Sequence, residues 1–343
     1  SQLSRVVGEL SIVCYVRAEH RRARALADEA LSLAQQAKDP LLEGLVRWHL
    51  GVVLFSLGEY RAAHAHLEQV IAFYNPEQHH RSFVYLRGSD AGVGALAYDA
   101  CCLWCLGYPE QALRRSQEVV ALARDLDHPF SLADVLCYAG CMFNEMCRDA
   151  QVLKDHAEEL MLLANEQVPV WSASGQRYYG GALTMLGQIH EGIAQMREGV
   201  EAIHSSGALC GLSEALCYLA KAYAEAGQPE QGLTTLAEAL AFVERTDQRH
   251  SEAELHRLRA ELLFMQGKDG EGEASLHKSI EVARRQHARS WELRATTSLA
   301  RLWQKQGKLE QAREVLAGIY GWFTEGFATA DLMEAKALLD QLS

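Results

Sequence analysis

Apolar residues along this chain recur at intervals of three and four rather than two. In ALCYLAKAYAEAG (215–227) and QGLTTLAEALAFVE (231–244) they mark one face of an amphipathic helix. No long run alternates with period two, so the pattern predicts helices and no sheet. The two segments are separated by a Gly and a Pro, which reads as one helix ending and the next beginning.

That arrangement repeats. Gly107, Gly187, Gly227, Gly267 and Gly307 are spaced by 40 residues, with Cys147 in the vacant slot; Gly58 and then Ala18 extend the series upstream after about nine extra residues. Seven positions before the landmark stands a small residue: Ser11, Gly51, Ala100, Gly140, Gly180, Ala220, Ala260 and Ala300. Five after it stands another compact one, such as Ala63, Ala112, Gly192 or Ala312. The landmark glycines read as helix C-caps, which favour positive φ. Pro109 and Pro229 open the second helix of a pair, where a missing N–H does no harm. Pro40, Pro129 and Pro169 fall between units. Small residues allow the paired helices to approach closely. Sixteen helices in eight antiparallel hairpins follow, with a closing helix at about 331–342, and the chain 1–343 reads as one solenoid domain. The nine extra residues fall at about 75–94, in YNPEQHHRSFVYLRGSDAGVG, whose Pro, Gly, Ser and Asp predict a long loop between units two and three.

LGYPEQAL (106–113) and AGQPEQGL (226–233) resemble the tetratricopeptide pattern in a longer, 40-residue form. The resemblance implies an all-α, right-handed superhelical solenoid. A narrower resemblance is carried by SWELRATTSLARLWQKQGKLEQAREVLAGIYGWFTEGFATADLMEAKALLDQL, GSDAGVGALAYDACCLWCLGYPEQAL and GIAQMREGVEAIHSSGA. These are similar to C-terminal parts of bacterial multidomain signalling proteins, in which a class III adenylate/guanylate cyclase-like or other effector domain and a STAND-type AAA ATPase precede a helical array. This resemblance implies that the chain is a fragment of such a protein, and that upstream domains of the same chain are among its partners.

Composition narrows the function. With 33 Lys and Arg against 45 Asp and Glu, the net charge is −12, which argues against nucleic acid and anionic membrane surfaces. No apolar run approaches a bilayer span and the N-terminus lacks a signal-peptide pattern. Nine Cys without a secreted-domain spacing suggest reduced thiols and a cytoplasmic location. No phosphate-binding loop, dinucleotide fingerprint, HExxH or nucleophile elbow is present. Neither catalytic residues nor a cofactor nor a metal is therefore expected, and this part of the chain reads as non-catalytic.

In tetratricopeptide arrays the first helix of each hairpin lines the concave groove, and the resemblance carries that face onto particular residues. Trp48, Phe55 and Trp104 are the aromatic candidates, with Asn144 beside them. Arg177, Lys221, Arg257, Glu261, Arg294 and Arg301 form a charged second half. Aromatic anchors with a polar register suit a protein or peptide. Small-ligand sensing in the aromatic, thiol-rich half is the alternative, and an enzyme site hidden in the groove a remote one. Cys101, Cys105, Cys137 and Cys141 fall on two stacked first helices, where they either form a zinc or redox cluster or pack as small apolar residues. His79 and His80 on the insert are either a metal pair or solvated.

Overall fold

A computed structural model describes residues 2–164 and 169–342. Among these, the regular structure is helical, with no strand. Unit one pairs α1 (Gln2–Val16) with α2 (His20–Ala37), and unit two pairs α3 (Pro40–Ser56) with α4 (Tyr60–Phe73). An extra helix, α5 (Pro76–Arg87), precedes unit three, which is α6 (Ala91–Leu106) and α7 (Pro109–Asp125). Unit four begins as α8 (Pro129–Val135), widens into π-type turns over Leu136–Met142, and tightens again as α9 (Phe143–Cys147) before α10 (Ala150–Ala164). Unit five is α11 (Pro169–Met185) and α12 (Ile189–Ser206); unit six is α13 (Leu212–Glu225) and α14 (Pro229–Thr246). Unit seven is α15 (Glu252–Met265) and α16 (Asp269–Arg285), and unit eight is α17 (Arg289–Lys305) and α18 (Leu309–Tyr320). A final helix, α19 (Ala330–Gln341), packs on α17 and α18. No helix among the described residues is long and apolar enough to cross a membrane.

The hairpins close as the landmarks require. Each landmark N–H bonds back three residues and the next N–H five residues, as in Gly227 N to Ala224 O (3.0 Å) and Gln228 N to Tyr223 O (2.9 Å). In unit five the paired helices touch at Gly180 and Gly192: a Cβ on Gly192 would lie 2.6 Å from the Gly180 carbonyl.

Two local expectations are corrected. The 75–94 segment is not a loop, because its punctuation belongs to a helix: Asn75 caps α5 by accepting from Gln78 N, Pro76 fills the first position, and Gly88 terminates it with φ 88°. Unit four's landmark is Arg148 (φ 63°) rather than Cys147. A π-type turn accommodates one residue more than an α-turn, so the landmark slips by one. Side chains stand against the carbonyls of these wide turns: Ser116 Oγ on Ala139 O (2.9 Å), Asn144 Nδ2 on Gly140 O (2.6 Å) and the Cys101 thiol on Tyr138 O (3.7 Å).

The solenoid is wound tightly enough to bond to itself. The Val16 carbonyl accepts from Leu209 N at 2.7 Å, Ser56 O from Arg249 N at 2.7 Å, Trp104 O from Ser290 Oγ at 2.5 Å and Met146 O from Arg294 Nη2 at 2.8 Å. These acceptors lie in the last turns of the first helices of units one to four, where carbonyls lack an intrahelical partner. The donors come from the segments leading into units six and seven and from the first helix of unit eight, so successive superhelical turns meet along a ladder of bonds.

Candidate functional site

Closure of the turns fills the groove with the protein's own side chains. Trp48, Phe55 and Trp104 are 4%, 2% and 3% exposed, which corrects their reading as open anchors. Trp48 lies 3.7 Å beneath the Arg87 guanidinium of α5. Phe55 packs among Tyr60, Tyr98 and His250. Trp104 meets Trp291 edge-on, with ring centres 4.7 Å apart, across the superhelical turns. Asn144 is likewise buried, its amide spent on its own helix.

Among the described residues, two cavities stand out in the interior. The first, of about 80 Å³, is bordered by Tyr15, Phe55, Tyr98, Tyr138, Trp171 and Tyr178, with Cys137 and Cys210 among them. Arg177, Glu214 and His250 form its polar wall. Arg177 is buried and bonds both oxygens of Glu145, at 2.9 and 2.8 Å, and Glu214 Oε1 at 3.1 Å. Burial pushes Glu145 above the usual carboxylate range, against the opposing Arg177 charge. Glu214 is held below that range despite its burial, through its bond to His250 and the charge of Arg177.

The second cavity, of about 140 Å³, is lined by Arg148, Lys221, Arg257, Arg294 and Arg301 and by Glu145, Glu254, Glu261, Asp331 and Glu334, with Tyr218, Thr297 and Ser298. Its ion pairs are mostly matched. Arg257 takes both Glu254 oxygens at 2.7 Å and also Glu261. Arg294 bonds Asp331 at 3.0 and 2.6 Å. Arg301 reaches Glu334 at 3.1 Å and Arg148 reaches Asp331 and Glu334, each at 2.8 Å. Burial alone would raise Glu254; the adjacent Arg257 overcomes it and holds Glu254 at about 2. The structure thus gathers Lys221, Arg257, Glu261, Arg294 and Arg301 around one cavity. Arg177 stands at the wall of the other. Sequence reasoning missed Tyr218, Arg148 and the α19 carboxylates. The i, i+3 spacing of Asp331 and Glu334 puts both on one helical face, a signal that was present.

The thiols behave as packing groups. All nine cysteines are free, and burial pushes Cys101, Cys105, Cys137 and Cys141 upward, away from thiolate. His79 stacks on Phe73 at 4.3 Å and His80 bonds Asp90 at 2.8 Å. Among the described residues, His64, Glu68 and Asp99 alone bring three such ligand atoms together, and Arg115 already bridges Glu68 and Asp99.

The chain carries tetratricopeptide repeats: family models of that description match residues 49–75, 213–238 and 293–317. An uncharacterized protein of Rhizobium meliloti (strain 1021) is 26% identical over 285 residues, covering 81% of this chain and 28% of the relative, so the chain spans little more than a quarter of that relative's length. Among solved structures, a Rap protein complexed with Competence and Sporulation Factor is similar over 100% of this chain and 98% of its own, at 11% identity and a TM-score of 0.62. NprR in complex with its cognate peptide NprX is similar over 98% of this chain and 81% of its own, at 13% identity and a TM-score of 0.52. Both likenesses concern the fold.

Proposed function

We infer that this array is an interaction module whose interior receives side chains of a peptide or of a protein segment. The observation that carries the reading is the interior itself: an aromatic cavity and a charged one within a single superhelix. The likeness to NprR in complex with its cognate peptide, over 98% of this chain, supports it. Cavities of this size hold a few waters or a side chain or two rather than a whole peptide. The partner therefore lies across their mouths and inserts anchors. Half-buried Trp171 borders the aromatic cavity, and exposed Arg301 the charged one. Peptides selected from a display library on the purified chain should lose about tenfold or more in affinity on Trp171→Ala or Arg301→Glu. Failure to select any saturable peptide, or indifference to both changes, would remove the reading.

In a longer cytoplasmic protein the array would act as scaffold or sensor for an upstream STAND ATPase or cyclase-like module. The terminal sequence resemblance supports this role, as does the Rhizobium relative, which extends well beyond the matched part. Nucleotide turnover of such a protein with and without the array is the test; equal turnover, with and without a selected peptide, would exclude regulation. A small ligand in the aromatic cavity is the alternative, favoured by its limited volume and ring of Tyr side chains.

A further inference from the structure

The charged cavity has donors to spare. Tyr218 is 7% exposed and lines it, yet its hydroxyl has no hydrogen-bond partner. A buried hydroxyl left unpaired is costly, so an acceptor is expected opposite it. Lys221, three residues on and therefore on the same face of α13, also lines the cavity; its ion-pair partner Glu225 stands 3.8 Å away, beyond hydrogen-bond length. The Nε of Arg148 is a second buried donor without an acceptor.

Five cations and five carboxylates line the cavity, so its fixed charges balance; outside the lining, Arg177 pairs with Glu145 and Glu225 with Lys221. What is left over is donors rather than charge. The floor, formed by Tyr218, Glu254, Arg257 and Arg294, is buried, whereas Glu261, Arg301 and Glu334 at the rim are 41%, 47% and 41% exposed at their side chains. The space is thus a pocket with a mouth, built from α9, α13, α15, α17 and α19.

We propose that this cavity is a binding site for a small monocarboxylate, whose carboxylate accepts from the Tyr218 hydroxyl and the Lys221 ammonium. A carboxylate brings acceptors and no donor, and its two oxygens match the neighbouring donors on α13. A ligand of this size needs neither a peptide nor any parting of the superhelical turns.

The test is calorimetric titration of the purified chain with sodium lactate and sodium acetate at constant ionic strength, with sodium chloride, succinate and triglycine, as free acid and as amide, in parallel. Saturable binding of lactate or acetate is expected, weakened about tenfold or more by Tyr218→Phe and by Lys221→Met. Tyr218→Phe removes an unpaired buried hydroxyl, so the unliganded variant should melt no lower than the parent while losing its response to the carboxylate. Four results would overturn the proposal: no saturable binding to the parent; equal binding to both variants; binding matched by chloride; or binding confined to the triglycine free acid, which would assign the carboxylate to a peptide terminus.

Discussion

Ser290 donates its hydroxyl to the carbonyl of Trp104 at 2.5 Å, across 186 residues of sequence. The bond occupies a carbonyl in the last turn of α6 with a donor from unit eight. Ser290→Ala should cost about 0.5–1.5 kcal/mol, the net worth of one buried hydrogen bond, because the carbonyl keeps its bond from Gly107 N at 3.0 Å. Chemical denaturation of the two proteins gives the difference; equal midpoints and slopes would mean that the rung carries no stability.

Trp48 and Trp104 are packing residues in this structure. Truncating either to Ala should cost about 3–5 kcal/mol, as buried aromatic deletions do. Trp48→Ala also strips the Arg87 guanidinium of its ring, which should loosen α5. Melting temperature and protease sensitivity at 76–87 are the measurements. A stable variant with intact α5 would return Trp48 to the list of open anchors.

Two landmark glycines separate backbone strain from crowding. Gly227 has φ 68° and open space where a Cβ would stand, whereas Gly107 has φ 95° and its Cβ would lie 2.4 Å from the Trp322 ring. Gly227→Ala should cost about 1–2 kcal/mol, the penalty of the left-handed conformation alone. Gly107→Ala should cost clearly more. Equal losses in thermal melts would show that the Trp322 ring moves aside freely.

Acid should weaken the fold through its buried histidines. Burial, aided by the Arg87 charge, lowers His49 from its ordinary 6.5 to about 3. Its Nε2 faces Ser11 Oγ at 2.8 Å; because that hydroxyl donates to Ala23 O, the imidazole is the donor to it. The unfolded chain binds a proton below pH 6.5 and the folded chain does not. The contribution is therefore complete above 6.5 and is lost as pH falls toward 3. His49→Gln keeps a donor and removes the titration. Between pH 6 and 4 the parent should lose about 1.4 kcal/mol per pH unit more than this variant. Parallel stability curves would refute the assignment.

What the sequence made legible is local and periodic. The landmark glycines, the small residues at closest approach and the proline helix starts each act within one hairpin, so one repeat displays them. The inserted helix was misread because Asn75, Pro76 and Gly88 serve a loop and a capped helix equally well, and Phe83 is its sole buried residue. The slip to Arg148 arises from π-type turns that leave no periodic mark in LCYAGCM. Closure is a different matter. Superhelical pitch accumulates from small rotations between hairpins, and no repeat encodes their sum. The face assigned to a groove was the right face for Trp104 and Arg294, but it meets another turn of the same chain.

The ladder between turns changes how such a chain would reach its native state. A solenoid held only by adjacent hairpins can nucleate anywhere and grow outward, each unit adding its own small increment. Here the bond from Tyr60 to the His250 carbonyl spans 190 residues, and that from Ser290 to Trp104 spans 186. Such contacts carry a large loop-closure entropy and cannot form until the units between them are in place. The stacking of hairpins should therefore be fast and graded, and the locking of the turns late and concerted. Removing the last units would release the first ones as well, so terminal deletions should unfold this array from both ends at once.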